Sequence, residues 1–456
     1  MSGLICSEVE YNITKKSDIF RLESEYYNSE KTEFVNYRTG EEITDFVQYG
    51  TSKALNEEKL GYPVLRLNEF DGHFIDKPHK YCNMISLEDY EKLRLKKGDV
   101  LICRTNGNAK YVGKAALVTE DSEYAFASYL YRIRPKKELI SSAMLVSFLN
   151  SKYGRQEIEK QSMQSNQVNF SPAKFREIKI PIFSGPLNQE IDKIYYVSRQ
   201  MVMESKKLYN DSEKLLLEKL GVLDYKESQE SIAVKKLSES FMENGRLDAE
   251  YYQPKYDEFE KLIYKKRVVS LNIYDKNYVP QDDKKYKYIE LANIRENGII
   301  DDVETYEGID LPTRARRKIK EGQVLVSSIE GSLSSCALVT KDFNGAICTN
   351  GFYVVDADEI NSETLLVLIK SWLIQEVLKR ECSGTILTSI NKADFSRIRL
   401  PMVDAVTQKD IKKMIVESYN LRQRSKILLE KATKSVEIAI ECGEKTAIEF
   451  LKEEKV

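Results

Sequence analysis

The sequence predicts an α+β fold built from two tandem copies of one domain, each followed by a long helix. The first observation behind this prediction is a repeated segment, RLESEYY at residues 21–27 and RLDAEYY at residues 246–252. The second is the mixture of short β-rich runs and polar turns in each copy, and the third is a seven-residue repeat at the end of each. The offset of 225 residues is too large for a solenoid repeat and suits a whole domain.

Two further pairs of segments recur in the same order, which supports a duplication. LKKGDVLI at residues 95–102 returns as IKEGQVLV at residues 319–326, and AKFREIKIP at 173–181 returns as ADFSRIRLP at 393–401. The offset falls from 225 to 220 along the chain, so a few residues were gained or lost between these landmarks. A framework that is kept while its interior diverges is expected when one fold presents two different binding surfaces.

Each copy contains candidate strands and one candidate helix before its heptad segment. The helices are predicted at residues 142–160 and 362–380, where apolar residues recur at helical spacing. The strands are predicted at 64–67, 100–103, 115–119, 129–133 and 178–182 in the first copy and at 288–291, 324–327, 336–339 and 351–355 in the second. Strands and helices do not alternate regularly, which favours an α+β domain over a doubly wound sheet.

The heptad segments predict two helices that pair with each other. Their a and d positions hold Ile191, Ser198, Ser205, Ile194, Met201 and Leu208 in the first copy and Ile411, Ser418, Ser425, Met414, Leu421 and Leu428 in the second. Small residues at matching a positions would let two helix backbones approach closely, and neither helix is apolar enough to stand alone. Pairing is therefore the preferred prediction, and the alternative is that each helix lies on its own domain.

These landmarks define the expected domain organisation. It comprises a first domain at residues 1–183, a first coiled-coil helix at 184–230, a second domain at 231–403 and a second coiled-coil helix at 404–456. A chain of 456 residues exceeds what one hydrophobic core usually supports, in agreement with two domains.

Composition excludes several classes of protein. No run approaches the roughly 18 apolar residues of a membrane span, and the amino terminus lacks a signal-peptide pattern, so a cytoplasmic location is expected. Seven scattered cysteines form no CxxC pair, and the chain has only two histidines, His73 and His79, so we expect no metal site. The 70 basic and 72 acidic side chains nearly cancel, although residues 91–116 and 314–320 each carry a local basic excess.

The sequence contains no recognisable motif for chemistry. It lacks the Asn/Asp-Pro-Pro-Tyr/Phe segment and the glycine-rich cofactor loop of adenine methyltransferases, and it lacks the GxxxxGK(S/T) loop of a nucleotide-driven motor. No Pro-Asp followed by a Glu-x-Lys strand stands out as a nuclease site. We therefore expect no catalytic residues and a protein that is not an enzyme.

Together these features resemble the specificity subunit of a type I restriction-modification system. The resemblance rests on the Arg-Leu-(Asp/Glu)-x-Glu-Tyr-Tyr segments, on the Lys-x-Gly-(Asp/Gln)-Val-Leu strands, and on the domain ends where Phe175 or Phe395 leads through a strand to Pro181 or Pro401. It covers essentially the whole chain. The resemblance implies two tandem α/β target-recognition domains whose coils pack as an antiparallel pair, with pseudo-twofold symmetry.

The same resemblance implies a function and partners. Such a subunit reads a bipartite double-stranded DNA site, one half with each domain, and docks two methyltransferase subunits and, in the full complex, motor-nuclease subunits. No cofactor is expected on this chain, and S-adenosylmethionine is expected on the partner methyltransferase. About 30 residues of helix would span about 45 Å. That length corresponds to about 13 base pairs, so the two domains would meet the duplex slightly more than one turn apart.

The first candidate DNA-contact region is the turn after the predicted strand at 100–103 and its counterpart in the second copy. Arginine suits guanine, asparagine suits adenine, a carboxylate suits cytosine, and lysines suit phosphates. The candidates are Arg104, Asn106, Lys110 and Lys114 in the first copy and Ser328, Glu330 and Ser332 in the second, with Arg316 and Arg317 from the neighbouring basic stretch. An ordinary solvated hairpin turn is the alternative.

A second candidate region lies between the late helix and the closing strand. It is rich in amides in the first copy, where the candidates are Gln164, Asn166 and Gln167, and rich in hydroxyls in the second, where they are Thr385 and Thr388. Polar loops at such a place are often no more than connections, so the two interpretations stand equal.

Two other functions also fit the sequence. One is the specificity component of a type IIB-like or other methylation-based defence system, in which the partner fuses methylation and cleavage. The other is a duplicated scaffold that holds two proteins through its coils and does not bind DNA, and its main support is the near-zero net charge.

Overall fold

The computed structural model describes residues 8–9, 11, 34–162, 169–226, 230, 232–384 and 388–453. The chain forms two compact units. Unit 1 consists of residues 1–202 and 423–456, and unit 2 consists of residues 203–422. The first copy of the repeated segment, residues 21–27, lies outside the described residues.

Unit 1 contains a six-stranded sheet, a three-stranded sheet and a two-stranded pair. Its strands are β1 (Tyr37–Thr39), β2 (Thr44–Tyr49), β3 (Tyr62–Leu65), β4 (Phe70–Asp71), β5 (Phe74–Ile75), β6 (Lys80–Cys82), β7 (Val100–Cys103), β8 (Ala115–Leu117), β9 (Ala125–Phe126), β10 (Leu130–Pro135) and β11 (Lys179–Pro181). The strand orders are β2-β10-β7-β8-β5-β4, β6-β3-β9 and β1-β11. The shorter helices of this unit are α1 (Leu87–Leu93), α2 (Ser142–Asn150), α3 (Lys152–Ser162) and α4 (Pro172–Glu177).

The central strand β7 separates two hydrophobic cores, which explains its uninterrupted apolar sequence. All four of its residues are buried. Because side chains alternate along a strand, Val100 and Ile102 enter the core that includes α2, whereas Leu101 and Cys103 enter the core that includes β3 and β9. A strand covered on both faces in this way needs apolar residues at every position.

The first long helix, α5 (Gly185–Leu220), has 36 residues and leads from unit 1 into unit 2. Unit 2 then contains β12 (Val268–Ser270), β13 (Asn272–Ile273), β14 (Lys285–Ile289), β15 (Glu304–Glu307), β16 (Ala315–Lys318), β17 (Val324–Ser327), β18 (Cys336–Leu338), β19 (Ile347–Thr349), β20 (Phe352–Asp356), β21 (Cys382–Ser383), β22 (Ser389–Ile390) and β23 (Arg399–Pro401). Its shorter helices are α6 (Phe241–Asn244), α7 (Pro254–Tyr264), α8 (Ser362–Lys370), α9 (Trp372–Glu381) and α10 (Lys392–Arg397). The second long helix, α11 (Ala405–Cys442), is followed by α12 (Glu444–Lys452).

Unit 2 repeats the central sheet of unit 1. Its order β13-β20-β17-β18 corresponds to β2-β10-β7-β8, and all four residues of β17 are buried. Val324 and Val326 enter one core and Leu325 enters another, as in β7. The predicted α+β class and its duplication are therefore confirmed.

The late helix of each copy is two helices, so the prediction of single helices at 142–160 and 362–380 is wrong. The break falls at Ser151 between α2 and α3 and at Ser371 between α8 and α9, where the backbone is extended. Each serine hydroxyl donates to the carbonyl three residues earlier, Phe148 at 2.7 Å and Leu368 at 2.6 Å. This local bond replaces the helical continuation, a competition in which serine is favoured.

The two long helices pair in antiparallel fashion, as predicted. In unit 2 the hydroxyls of Ser205 and Ser418 are 2.9 Å apart, and the Ser418 hydroxyl donates to the Ser205 carbonyl at 2.8 Å. In unit 1 the Ser425 hydroxyl donates to the Ser198 carbonyl at 3.1 Å. Ser198 lies seven residues before Ser205 on α5, and its partner Ser425 lies seven residues after Ser418 on α11, so the two helices run in opposite directions. Contacts from side chain to backbone at these serines require the close approach that small residues permit.

Each long helix also packs on the domain beside it, through a position that the heptad pattern does not identify. The a positions are buried and the d positions Ile194, Met201, Leu208, Met414, Leu421 and Leu428 are only half-buried. The e positions Tyr195, Val202 and Tyr209 are 2%, 3% and 5% exposed. Tyr195 belongs to the core of unit 1 and Tyr209 to that of unit 2. Both predicted arrangements, pairing and lying on a domain, therefore occur together.

Among the described residues, no helix has both the length and the apolar character needed to cross a bilayer. Within the same residues, five cysteines are buried and Cys442 is exposed, and none forms a disulfide.

Candidate DNA interface

In unit 1 the backbone leaves β7 at Arg104 and is held there from both sides. The Arg104 N–H donates to the Tyr129 carbonyl at 2.7 Å, and the Arg104 carbonyl accepts from the Phe170 N–H at 2.8 Å. Thr105 and Asn169 then form an isolated antiparallel bridge. The first candidate region is thereby joined to the residues that follow the second, because Asn169 comes directly after residues 163–168.

Unit 2 has the same backbone arrangement at the end of β17. The Ser328 N–H donates to the Gly351 carbonyl at 2.9 Å, and the Ser328 carbonyl accepts from the Ile390 N–H at 2.8 Å. Ile329 and Ser389 form the matching isolated bridge. We call this repeated arrangement the strand-end frame, with Arg104 at its centre in unit 1 and Ser328 at its centre in unit 2.

The strand-end frames bring the two candidate regions of each copy together. In unit 2 the Glu330 N–H donates to the carbonyl of Thr388 at 3.0 Å, so these two predicted residues are neighbours. The remaining candidates of the second region, Gln164, Asn166 and Gln167 in unit 1 and Thr385 in unit 2, lie outside the described residues.

Cationic and aromatic side chains occupy the unit 1 frame. The Arg104 guanidinium lies over the Tyr49 ring, 5.4 Å from its centroid, and the Arg104 Nε is buried without a hydrogen-bond partner in the described part of the chain. The ammonium groups of Lys110 and Lys114 lie 6.0 and 5.5 Å from the centroid of the Tyr111 ring. The predicted candidates Arg104, Lys110 and Lys114 thus occur in one segment and lie beside the exposed Tyr49 ring and the half-buried Tyr111 ring.

The asparagines of the unit 1 turn shape its backbone. The Asn106 side chain accepts from the Asn108 N–H at 2.9 Å, and the Asn108 side chain accepts from the Lys110 N–H at 3.0 Å. Asparagine commonly holds turns in this way. The side-chain oxygen of Asn106 is therefore hydrogen-bonded within the turn, and adenine recognition by Asn106 stays a prediction.

In unit 2 the frame carries hydroxyls and a carboxylate. The Ser328 hydroxyl donates to the Gly351 carbonyl at 2.9 Å, and the Ser332 hydroxyl lies 3.3 Å from the Ile329 carbonyl. Burial, followed by the nearby Glu330 carboxylate, raises the pKa of the Cys382 thiol to about 12. Glu330 therefore lies close to the strand pair β21-β22, which encloses the second candidate region of unit 2.

Arg316 and Arg317 differ in their surroundings although they are adjacent on β16. Arg316 is exposed. The Arg317 guanidinium donates to the Phe352 carbonyl and lies over the Tyr353 ring, 5.4 Å from its centroid. Arg317 thus ties β16 to β20, and the exposed Arg316 is the better placed of the two for a phosphate.

In unit 2 the repeated Arg-Leu-Asp-Ala-Glu-Tyr-Tyr segment contacts the end of α9 and the start of β21, which precede the second candidate region. The Tyr251 ring has the guanidinium groups of Arg246 and Arg380 at 4.2 and 4.4 Å from its centroid. Arg246 also donates to the Cys382 carbonyl at 2.8 Å, at the start of β21. The segment is therefore a structural clamp that fixes the end of α9, where the loop begins.

A hairpin in each unit contacts a long helix. In unit 1 the His73 Nδ1 lies 2.7 Å from the Tyr195 hydroxyl on α5. In unit 2 the Tyr419 hydroxyl on α11 donates to the Gly298 carbonyl at 2.9 Å. His73 and Gly298 occupy equivalent positions in the two units. The His73 carbonyl accepts from the Leu117 N–H at 2.8 Å, and the Gly298 carbonyl accepts from the Leu338 N–H at 3.2 Å. These contacts hold a hairpin of each unit on its long helix.

Sequence reasoning did not identify Tyr49 and Tyr129 as neighbours of Arg104. They are 48% and 53% exposed, and both lie beside Arg104. A signal was available for Tyr49, because it ends the mixed polar and apolar strand β2 and precedes a polar turn, where a tyrosine is often a surface residue. The number of tyrosines in the chain, 28, concealed it.

No group of His, Cys, Asp or Glu side chains suited to a metal ion occurs in the described ranges. The geometry instead defines a polar, partly cationic surface at the ends of central strands, which is the character of a nucleic-acid-binding module.

Residues 39–196 match the family model described as the type I restriction modification DNA specificity domain. This match agrees with the resemblance drawn from the sequence.

A curated relative supports the same family. The MjaX type I restriction enzyme specificity subunit of Methanocaldococcus jannaschii is 26% identical over 200 residues, which are 42% of this chain and 47% of the relative. The chain therefore spans about half the length of that relative.

Two solved structures of such subunits are also similar. The type I restriction-modification system S subunit from M. genitalium has 12% identity and a TM-score of 0.33, covering 93% of this chain and 98% of its own. The HsdS subunit from Thermoanaerobacter tengcongensis has 12% identity and a TM-score of 0.28, covering 92% and 97%.

Proposed function

We propose that this chain is the DNA-recognition subunit of a type I restriction-modification complex. Each unit reads one half of a bipartite site in double-stranded DNA. The paired long helices dock two methyltransferase subunits, with motor-nuclease subunits joining in the full complex, and they set the spacer between the half-sites. The chain contributes recognition and no catalysis, and S-adenosylmethionine binds the methyltransferase partner.

The repeated strand-end frame carries this proposal. One backbone arrangement presents Arg104 in unit 1 and Ser328 in unit 2. Two frames with the same main-chain hydrogen bonds and different side chains are what reading two different half-sites requires, since base edges are distinguished by the side chains that meet them. A scaffold that only holds two proteins has no need for such divergence at equivalent turns.

The test combines copurification with DNA binding. The chain is coexpressed with the candidate methyltransferase subunit of its host, and the purified complex is titrated with duplexes at several salt concentrations. We expect one asymmetric bipartite sequence to be preferred, with affinity falling steeply as salt rises. Sequencing of methylated bases in host DNA, with and without the gene, identifies that sequence.

Two outcomes would contradict the proposal or change its setting. A complex that forms but shows neither sequence preference nor a steep salt dependence indicates the non-DNA-binding scaffold. A partner that fuses methylation and cleavage in one chain indicates the type IIB-like setting, in which recognition by this chain is retained.

A further inference from the structure

We propose that Tyr49 and Arg104 form one guanine-reading element in unit 1, in which Tyr49 is the positioning residue for the Arg104 guanidinium. The proposal rests on the DNA-recognition function above. It adds a specificity determinant on the edge strand β2, far in sequence from the turn that carries the arginine.

The backbone of Arg104 is fixed before any DNA arrives. Its N–H and its carbonyl are bonded to Tyr129 and Phe170 at 2.7 and 2.8 Å, so the two neighbouring chain segments hold it from opposite sides. A reading side chain gains specificity when its starting point is rigid, because less conformational entropy is lost on binding.

Tyr49 fixes the other end of the same side chain. The guanidinium carbon lies 5.4 Å from the centre of the Tyr49 ring, within the range of a cation–π interaction. The Arg104 Nε is buried, so the two terminal nitrogens are the donors left for a ligand. A bidentate contact to O6 and N7 of guanine needs that pair of donors.

Unit 2 lacks both members of the element at equivalent places. Ser328 stands in the frame where unit 1 has Arg104. On the edge strands, Val47 of β2 pairs with Ile133 and Ile273 of β13 pairs with Val355, so Val47 and Ile273 are equivalent. Tyr49 and Asp275 each lie two residues further along and therefore correspond to each other. Asp275 forms an ion pair with Lys392 at 2.5 Å. The two substitutions occur together, as expected if arginine and tyrosine act as one element.

The experiment selects bound duplexes from a library in which every base pair of the preferred site is randomised in turn. It uses the full chain in complex with its methyltransferase. We expect Arg104→Ala to reduce the preference for one G·C pair in one half-site by about 5- to 150-fold. We expect Tyr49→Ala to reduce the preference at that same pair by about two- to fivefold, and Tyr49→Phe to retain it.

The matched variants separate the possible failures. Loss of preference at other base pairs with Tyr49→Ala would show that Tyr49 supports the fold and not the arginine. Equal loss with Tyr49→Phe would show that the hydroxyl, and not the ring face, is what matters, which would refute the positioning role. An unchanged profile with Arg104→Ala would refute the element while leaving DNA recognition intact. A wild-type complex without any base preference would refute the proposed function itself.

Discussion

Among single residues, His73 is half-buried and has a defined hydrogen-bond partner. Burial, with a smaller contribution from the Lys114 charge, lowers the pKa of His73 to about 4. The Ser147 hydroxyl donates to the Tyr195 oxygen at 2.9 Å, and that hydroxyl lies 2.7 Å from His73 Nδ1. The Tyr195 oxygen thus contacts both Ser147 and the imidazole, and the lowered pKa keeps that imidazole neutral at neutral pH.

We expect the stability of the protein to fall as the pH decreases from about 6.5 to 4. In this window the unfolded imidazole is protonated and the folded one is not, so the unfolded state binds more protons and acid favours it. The contribution lost is at most about 3 kcal/mol. Denaturant unfolding of the wild type and of His73→Gln across this range measures it.

The control for this experiment is His79→Gln, because His79 is exposed. The stability difference between the wild type and His73→Gln should shrink as the pH falls, and His79→Gln measures the effect of replacing an exposed histidine under the same conditions. A His73→Gln variant with the same pH dependence as the wild type would contradict the assignment.

Individual candidate residues were predictable where local chemistry decides, and not where a distant contact decides. The polar turn at Arg104 follows an apolar strand, so its exposure can be read from the sequence. Arg317 was given the same role as Arg316, yet its guanidinium reaches Phe352 and Tyr353 on another strand. No local pattern distinguishes two adjacent arginines on one strand when the difference arises from tertiary packing.

At the level of secondary-structure elements, the long helices show what a heptad pattern reveals. The pattern identified the serines at a positions, which are 0 to 2% exposed at Ser198, Ser205, Ser418 and Ser425. It did not identify the e positions, because Tyr195 and Tyr209 are large amphipathic residues that also suit a surface. Each helix buries one side on its partner and an adjacent side on a domain, so the buried face is wider than that of a simple two-stranded coil.

Two serines at equivalent a positions should respond differently to alanine. Ser205 shares a hydrogen bond with Ser418, whereas the Ser198 hydroxyl is buried without a partner in the described part of the chain. We therefore expect Ser205→Ala to cost about 1 kcal/mol of unfolding free energy and Ser198→Ala to be nearly neutral or slightly stabilising. Denaturant unfolding followed by helical circular dichroism gives both values.

The two variants are each other's control, since they remove the same atom from the same heptad position. Equal losses would mean that the hydroxyl bond between the helices contributes nothing and that only packing matters. A loss confined to Ser198→Ala would mean that the serine contacts are wrongly placed.

For the whole molecule, the duplication was visible in the sequence because its landmarks are structural. The Lys-x-Gly segment leads into the buried strands β7 and β17, and the closing Pro181 and Pro401 pair with β1 and β12. The division of each long helix between two units was not predictable, since a heptad shows which face is buried and not which domain covers it. The two units thus share one framework of strands and main-chain hydrogen bonds, and they differ in the side chains at the strand-end frames.

That organisation predicts that DNA affinity depends on local charge although the whole chain carries a net charge of −2. Lys110 and Lys114 follow the unit 1 frame, where their ammonium groups lie near the Tyr111 ring, and we predict that they contact phosphates. If each neutralises one phosphate, the double variant Lys110→Ala/Lys114→Ala should reduce the slope of log affinity against log salt by about two. Discrimination between matched and mismatched bases should change little, because phosphate contacts carry no base information.

The control for this prediction is Lys92→Ala, which removes a lysine of the same basic stretch. Lys92 forms an ion pair with Glu88 at 2.6 Å on α1, so its charge is already balanced locally. Its loss should leave the salt slope unchanged. Equal slopes for the double variant and the wild type would place the phosphates elsewhere on unit 1, and a loss of base discrimination in the double variant would assign these lysines to base recognition, because only contacts at base edges distinguish one base pair from another.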